Sequence, residues 1–224
     1  MIDRDLLERL RSYDTPTLSN SLGGLTDRSK TEGYTRPPIH AIFPELPPMV
    51  GYAVTMTIRS ETPHATTDPN APMAPLYEAV ARVEGPKIVI VQDLDGGAGC
   101  LWGEVNSSIC LAMGCEGVIT DGLVRDLPDV EAIGFRYLAK GVGVARAYVE
   151  VVDTDIPVDI AGTRFEPGDL VHADRHGALI IPHDAAEALP AAADATIAKE
   201  QRMLDWVRSD EFDPAEIPAR KIQH

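Results

Sequence analysis

Aromatic residues, cysteines, cations and long apolar runs are all scarce in this chain, and each scarcity removes a class of explanation. Aromatic side chains make up 5% of the 224 residues, so aliphatic side chains must fill most of the core. The three cysteines, Cys100, Cys110 and Cys115, are an odd count without the spacing of a small secreted scaffold, and they read as reduced thiols of a cytoplasmic protein. No CxxC pair occurs, which argues against a structural zinc site, and Cys110 and Cys115 read as small apolar packing residues. No apolar run reaches the roughly 18 residues of a membrane span. The opening MIDRDLLERLRSYD alternates charge with leucine and does not read as a signal peptide. Lysine and arginine number 20 against 35 aspartates and glutamates, for a net charge of −15. Such a surface repels phosphate backbones, which disfavours a nucleic-acid role, yet it does not repel a divalent cation. Excess acid also serves solubility alone.

What is present is an ordinary globular balance of 44% hydrophobic and 25% charged residues, enough for one domain with a usable core. Asp3 is placed to cap a short helix with Leu6, Leu7 and Leu10 on its apolar face, and Thr15-Pro16 starts a second helix that ends at Gly23-Gly24. Five prolines between 28 and 49 indicate a loop, and residues 60–72 another. Between them, Val50 to Arg59 alternates Tyr52, Val54, Met56 and Ile58 on one side of a strand.

An α-then-β pattern follows. Leu76, Val80 and Val83 suggest a helix stopped at Gly85-Pro86, and Lys87 to Gln92 is a short, nearly continuous apolar strand. Gly96 to Gly103 reads as a glycine-rich loop, Glu104 to Met113 as a helix, Val118 to Thr120 as a buried strand and Asp121-Gly122 as a tight turn. Leu127 to Ile133 reads as a helix and Phe135 to Ala139 as a strand; Ala145 to Pro182 is β in pattern, and His183 to Arg208 is helical with Asp184 near its start. Residues 1–208 form the expected domain, and 209–224 a polar tail that reaches a neighbour or moves freely.

The chemistry concentrates between Asp95 and Asp126. A glycine-rich loop leading into a helix exposes backbone N–H groups that, with the helix dipole, favour an anion such as a carboxylate. Glu104 sits at the start of that helix, and Arg125 and Asp126 lie just after the next strand, so the sheet would bring all of them to one edge. Arg125 suits a carboxylate or carbonyl oxygen through its planar fork. Asp126 suits a hard divalent cation that keeps several waters, and Glu104 suits orienting one of those waters or acting through it as a base. Singly these features are common, since most glycine-rich loops are only turns and most Arg-Asp neighbours are solvated pairs. Their combination carries the signal.

Gly103-Glu104, then twenty residues, then Arg125-Asp126 resembles the signature of the RraA-like family, which includes 4-hydroxy-4-methyl-2-oxoglutarate/4-carboxy-4-hydroxy-2-oxoadipate aldolases. Supporting matches are TPTLSNSL from Thr15 to Leu22, Gly114 with Gly117, Asp121-Gly122, and the stretch from Pro167 to Asp174 with Gly177 and Pro182. The resemblance covers nearly the whole chain. It implies an α/β fold, a swivelling β/β/α-type single domain with helical N- and C-terminal additions, assembled as a homotrimer or homohexamer with active sites between subunits. It implies that Asp126 binds Mg²⁺ or Mn²⁺, that Arg125 binds a small 2-oxo acid, and that Glu104 contacts a metal-bound water. Backbone amides around Gly103 and Val105 would hold the pyruvate carboxylate. Some members carry aspartate where this chain has Glu104, whose longer side chain would shift that water. A further glutamate is expected from the neighbouring subunit's C-terminal helix; Glu200 is the candidate on a loose KE-x-R pattern, and Glu187 competes with it.

The implied reaction is a retro-aldol cleavage through a pyruvate enolate, whose charge a divalent ion and Arg125 stabilise. No lysine lies between Asp95 and Asp126, so nothing there suggests a Schiff base. Loss of CO₂ from oxaloacetate gives the same enolate, so decarboxylation is expected as a second activity. One rival is a non-catalytic, RNase E regulator-like binding protein; such relatives lack the acidic residue that this chain keeps as Asp126. A second is a quinone-precursor methyltransferase, but the glycine loop is not a GxGxxG fingerprint. His64 reads as a loop residue able to overhang the site, and His172 and His176 as structural residues of a β-turn region. Trp102 reads as packing beside the site or under the loop, and residues 28–72 as the shapers of the distal pocket.

Overall fold

The first two helices form where the sequence places capping residues. In the computed structural model, which describes residues 2–63, 65 and 71–221, α1 (Arg4–Arg11) begins as Asp3 accepts from the Leu6 N–H, and it buries Leu7 and Leu10. α2 (Thr15–Leu22) carries a proline in its first turn and is capped by Asp14, which accepts from the Thr17 N–H. His64 lies outside the described residues. The 28–49 loop contains one two-residue strand, β1 (His40–Ala41), and leads into β2 (Met49–Arg59).

The α-then-β stretch follows as α3 (Ala74–Arg82), β3 (Lys87–Asp93), β4 (Cys100–Trp102), α4 (Glu104–Ala112), β5 (Cys115–Val124), α5 (Leu127–Ala132) and β6 (Arg136–Val142). The β-rich stretch then supplies β7 (Glu150–Thr154), β8 (Val158–Ile160), β9 (Thr163–Phe165), β10 (Leu170–Asp174) and β11 (Gly177–Ile181). The long helix α6 (Leu189–Val207) and the short α7 (Ile217–Lys221) end the described chain.

One mixed sheet organises the molecule in the order β1-β6-β5-β3-β2-β10-β11, with β4 also paired to β5 and β7 to β2. β2, β3, β5 and β6 run parallel, whereas β10 and β11 pair antiparallel to β2 and to each other. Parallel strands flanked by other layers are buried on both faces, which explains the unbroken apolar run of β3. Val89 and Val91 face a cluster with Leu76, Val80, Cys110 and Trp102; Ile88 and Ile90 face the opposite cluster with Phe165 and Ile160 of the β8–β9 hairpin. β2 is likewise buried on both faces along all but its last residue, so its alternation does not separate core from solvent. A third cluster joins α1, α2 and α6 to the antiparallel end through Leu10, Leu18, Leu189 and Leu179. The α/β single domain with helical additions at both ends is therefore what the chain adopts.

Several local expectations need correction. Asp121-Gly122 is no turn: β5 runs through it to Val124, with a shift in its pairing to β6 between Thr120 and Leu123. The stretch from Gly96 to Gly103 is not all loop, because Cys100 to Trp102 adds β4 alongside the end of β5. α6 starts at Leu189 rather than His183, and Asp184 does not cap it. The tail is not wholly free, since Phe212 packs edge-on against Trp206 and the Arg220 guanidinium lies 4.4 Å from the Trp206 ring. Among the described residues, no helix is long and apolar enough to cross a membrane.

Candidate functional site

The parallel strands deliver their following loops to one edge of the sheet, the usual ligand side of an open α/β sheet. β3 leads there into the glycine-rich segment, and β5 into Arg125 and Asp126. Asp126 adopts the left-handed conformation at φ 59, ψ 43, which an aspartate tolerates better than most side chains, and this bends the chain into α5. The bend aims the Asp126 carboxylate at the start of α4, where Oδ2 accepts from the Glu104 N–H at 3.0 Å. Gly103, at the N-cap of α4, has no side chain to perform this task, so Asp126 does it from another segment. A Cβ on Gly103 would overlap Asp126 Oδ2 and sit 3.3 Å from Arg125 Nε.

Arg125 is fixed through its backbone, whose N–H donates to the Trp102 carbonyl at 3.0 Å. Its guanidinium lies 3.7 Å from Asp126 Oδ1, and its buried Nε has no protein partner. Asp126 Oδ1 thus retains lone pairs for a hard cation that keeps several waters, the style of Mg²⁺ or Mn²⁺. Among the described residues no group of three or more His, Cys, Asp or Glu is placed to hold a metal.

A cavity of about 540 Å³ opens over this junction, and Gly103, Val105, Arg125 and Asp126 are among the residues that line it. Helix geometry leaves the N–H groups of the first turn of α4 without intrahelical partners; that of Glu104 goes to Asp126, and Gly103, Val105 and Asn106 of the same segment line the cavity. Glu104 meets Asp126 through its backbone only; its side chain is exposed and is not part of the cavity wall. Glu200 lies exposed on α6, which packs against α1 and α2, and is not part of the wall within one chain. Glu187 is exposed and lines a different groove, beside α1.

Three wall residues had no signal in the sequence. Arg146 comes from the β6–β7 connection, whose GVGVARAY carries no motif, and it adds a second guanidinium. Tyr77 comes from the middle of α3 and Asn106 from the first turn of α4. Tyr77 donates to Asn106 Oδ1 at 2.8 Å, and Asn106 Nδ2 donates to the Leu101 carbonyl at 2.8 Å.

Asp121 does not bond to Arg125; its Oδ1 accepts from the Asp93 N–H at 2.7 Å, bracing β3 against β5 behind the glycine-rich segment. Burial pushes the carboxyls of both Asp93 and Asp121 up from the usual range. Trp102 packs under the site, stacked on Phe135 with ring centroids 5.5 Å apart. His172 and His176 belong to the frame. His172 is buried with Nδ1 3.0 Å from Thr15 Oγ1, and burial pushes its pKa down to about 4. Asp174 receives the Thr15 N–H at 2.9 Å and lies 3.2 Å from His176 Nδ1.

The family model described as RraA-like, Aldolase/RraA, matches residues 15–180. The chain belongs to the RraA-like family. The matched stretch contains Gly103, Glu104, Arg125 and Asp126 but stops short of Glu200. This RraA-like chain is 27% identical over 180 residues to a Halalkalibacterium halodurans protein provisionally named 4-hydroxy-4-methyl-2-oxoglutarate aldolase, covering 80% of this chain and 77% of that protein. Its fold is similar to that of an uncharacterized protein from Pseudomonas syringae pv. tomato, with a TM-score of 0.75 at 22% identity, covering 100% and 95% of the two chains. It is also similar to Streptomyces coelicolor RraAS2, described as an unusual member of the RNase ES inhibitor RraA protein family, with a TM-score of 0.69 at 23% identity over 92% and 98%. At those identities the two structures bear on the fold alone.

Proposed function

We propose that this protein is a divalent-cation-dependent carbon–carbon lyase that cleaves a 4-hydroxy-2-oxo acid to pyruvate and decarboxylates oxaloacetate at the same site. The observation that carries this reading is the junction of Asp126, Arg125 and the start of α4 on one 540 Å³ cavity. Two guanidinium groups lining a cavity in a chain of net charge −15 favour a small anionic ligand. The aldolase name of the Halalkalibacterium halodurans relative points the same way.

Retro-aldol cleavage breaks the C3–C4 bond, turns the C4 hydroxyl into a carbonyl with loss of its proton, and leaves a pyruvate enolate to be protonated at C3. A Mg²⁺ or Mn²⁺ ion held by Asp126 would supply positive charge against the negative charge that develops on the enolate. The backbone N–H groups of Gly103 and Val105, at the start of α4, receive the substrate carboxylate, while that of Glu104 stays on Asp126. Arg125, pinned through its backbone, turns its fork to the 2-oxo group and shares that charge. Glu104 at the rim, and Glu200 from a neighbouring copy in a trimer or hexamer, handle water and the C3 proton. Val105, 70% exposed at the cavity wall, is apolar surface of the kind a neighbouring copy would cover.

The test is pyruvate release from 4-hydroxy-4-methyl-2-oxoglutarate and from oxaloacetate, with and without Mg²⁺. Cation-dependent release from at least one is the expected result. Release indifferent to the cation overturns the mechanism, and silence on both substrates shifts the reading to a protein-binding module.

A further inference from the structure

The wall of the cavity is rich in donors: the Arg125 and Arg146 guanidinium groups and the start of α4. Tyr77 differs, and its hydrogen bonds define how. The Leu101 carbonyl can only accept, so the Asn106 amide must turn its Nδ2 toward it, at 2.8 Å. Asn106 Oδ1 is thereby turned to Tyr77, and it too can only accept. The single phenolic proton of Tyr77 is therefore committed to Asn106, at 2.8 Å. What Tyr77 has left for a ligand is the lone-pair side of its oxygen. Burial raises its pKa above the ordinary value, so it stays a neutral phenol rather than a base at neutral pH.

We infer that Tyr77 is a specificity residue that accepts a hydrogen bond from the C4 hydroxyl of the substrate, with Asn106 as the positioning residue that keeps its proton turned away. This rests on the functional reading above and deepens it. A neutral acceptor among cationic donors selects a hydroxyl over a carboxylate, which would meet the Tyr77 lone pairs with its own. Oxaloacetate has a carboxylate at C4 and no hydroxyl, so it gains nothing from Tyr77. The same cavity then treats the two pyruvate-forming reactions differently.

The experiment is kcat/KM for pyruvate release from 4-hydroxy-4-methyl-2-oxoglutarate and from oxaloacetate, in full-length wild type and Tyr77→Phe, with saturating Mg²⁺. Tyr77→Phe removes one oxygen and leaves the ring in place. The expected result is a fall of about tenfold on the hydroxylated substrate, the scale of one neutral hydrogen bond, with oxaloacetate within about twofold of wild type. Equal losses on both substrates, or no loss on the hydroxylated one, overturn the role of Tyr77 while leaving the lyase reading intact. A wild type silent on both substrates overturns the lyase reading and this inference with it.

Discussion

Asp126 is asked to do two things, and one pair of substitutions separates them. Its carboxylate caps α4 by accepting the Glu104 N–H at 3.0 Å, and its charge would hold the cation. Asp126→Asn keeps an acceptor oxygen in the same place, and asparagine tolerates φ 59. It gives up the interaction of the charge with the α4 dipole, at most about 1 kcal/mol. Asp126→Ala loses the cap, about 1 kcal/mol, and places alanine in the left-handed region, about another 1 kcal/mol. The alanine variant should therefore sit about 2 kcal/mol below wild type, or about 4–8 °C in Tm for a chain of this size, with the asparagine variant clearly above it. Both variants should lose cation-dependent pyruvate release by at least about 100-fold. Urea titration read by circular dichroism, paired with coupled detection of pyruvate, measures both quantities on the same samples. Equal destabilisation by the two substitutions would show that the cap contributes nothing. An asparagine variant that keeps its turnover would show that the charge is not needed, and the cation-holding role would fall.

Gly103→Ala tests the same junction from the other side. The backbone at Gly103 is extended, so the cost is steric alone: the new Cβ overlaps Asp126 Oδ2. About 1–3 kcal/mol of stability and most of the pyruvate release should be lost, and an alanine variant as stable and active as wild type would contradict the packing described. Acid sensitivity should trace to His172. Its folded pKa of about 4 lies below its unfolded value, so its contribution is complete above about pH 6.5 and is lost as pH falls from there toward 4. Comparing unfolding of wild type and His172→Gln across that window cancels the other titrating groups. Wild type should lose about 3 kcal/mol relative to the variant between pH 7 and pH 4, and parallel pH curves would refute the assignment.

Features set by neighbours in sequence were legible before any coordinates. The Asp3 cap, the proline at the start of α2, the buried run of β3 and the Gly103–Asp126 spacing all depend on local geometry or on a motif whose parts travel together. Tertiary pairing hid the rest. Asp121-Gly122 looks like a turn, yet it is an irregularity inside β5, which pairs with β6 up to Thr120 and again from Leu123, where β4 joins it on the other side. Arg146 and Tyr77 reach the cavity only because the β6–β7 connection and α3 fold over the same strand ends, and no periodicity encodes that meeting. The proposed role of Glu200 needs a neighbouring chain, which lies beyond the reach of one chain's packing.

β2 carries a consequence for biosynthesis. The same strand joins β3, made soon after it, and β10, which follows only after residue 170. On the ribosome, the half of the sheet that bears Arg125 and Asp126 can assemble while the β10-facing edge of β2, Met49 to Tyr52, is still bare. That edge is buried and apolar in the finished protein, so during synthesis it is an open template for pairing with other chains. Chain release before β10 emerges would leave a nascent protein with the Arg125–Asp126 edge nearly complete and an adhesive flank, a species for chaperones.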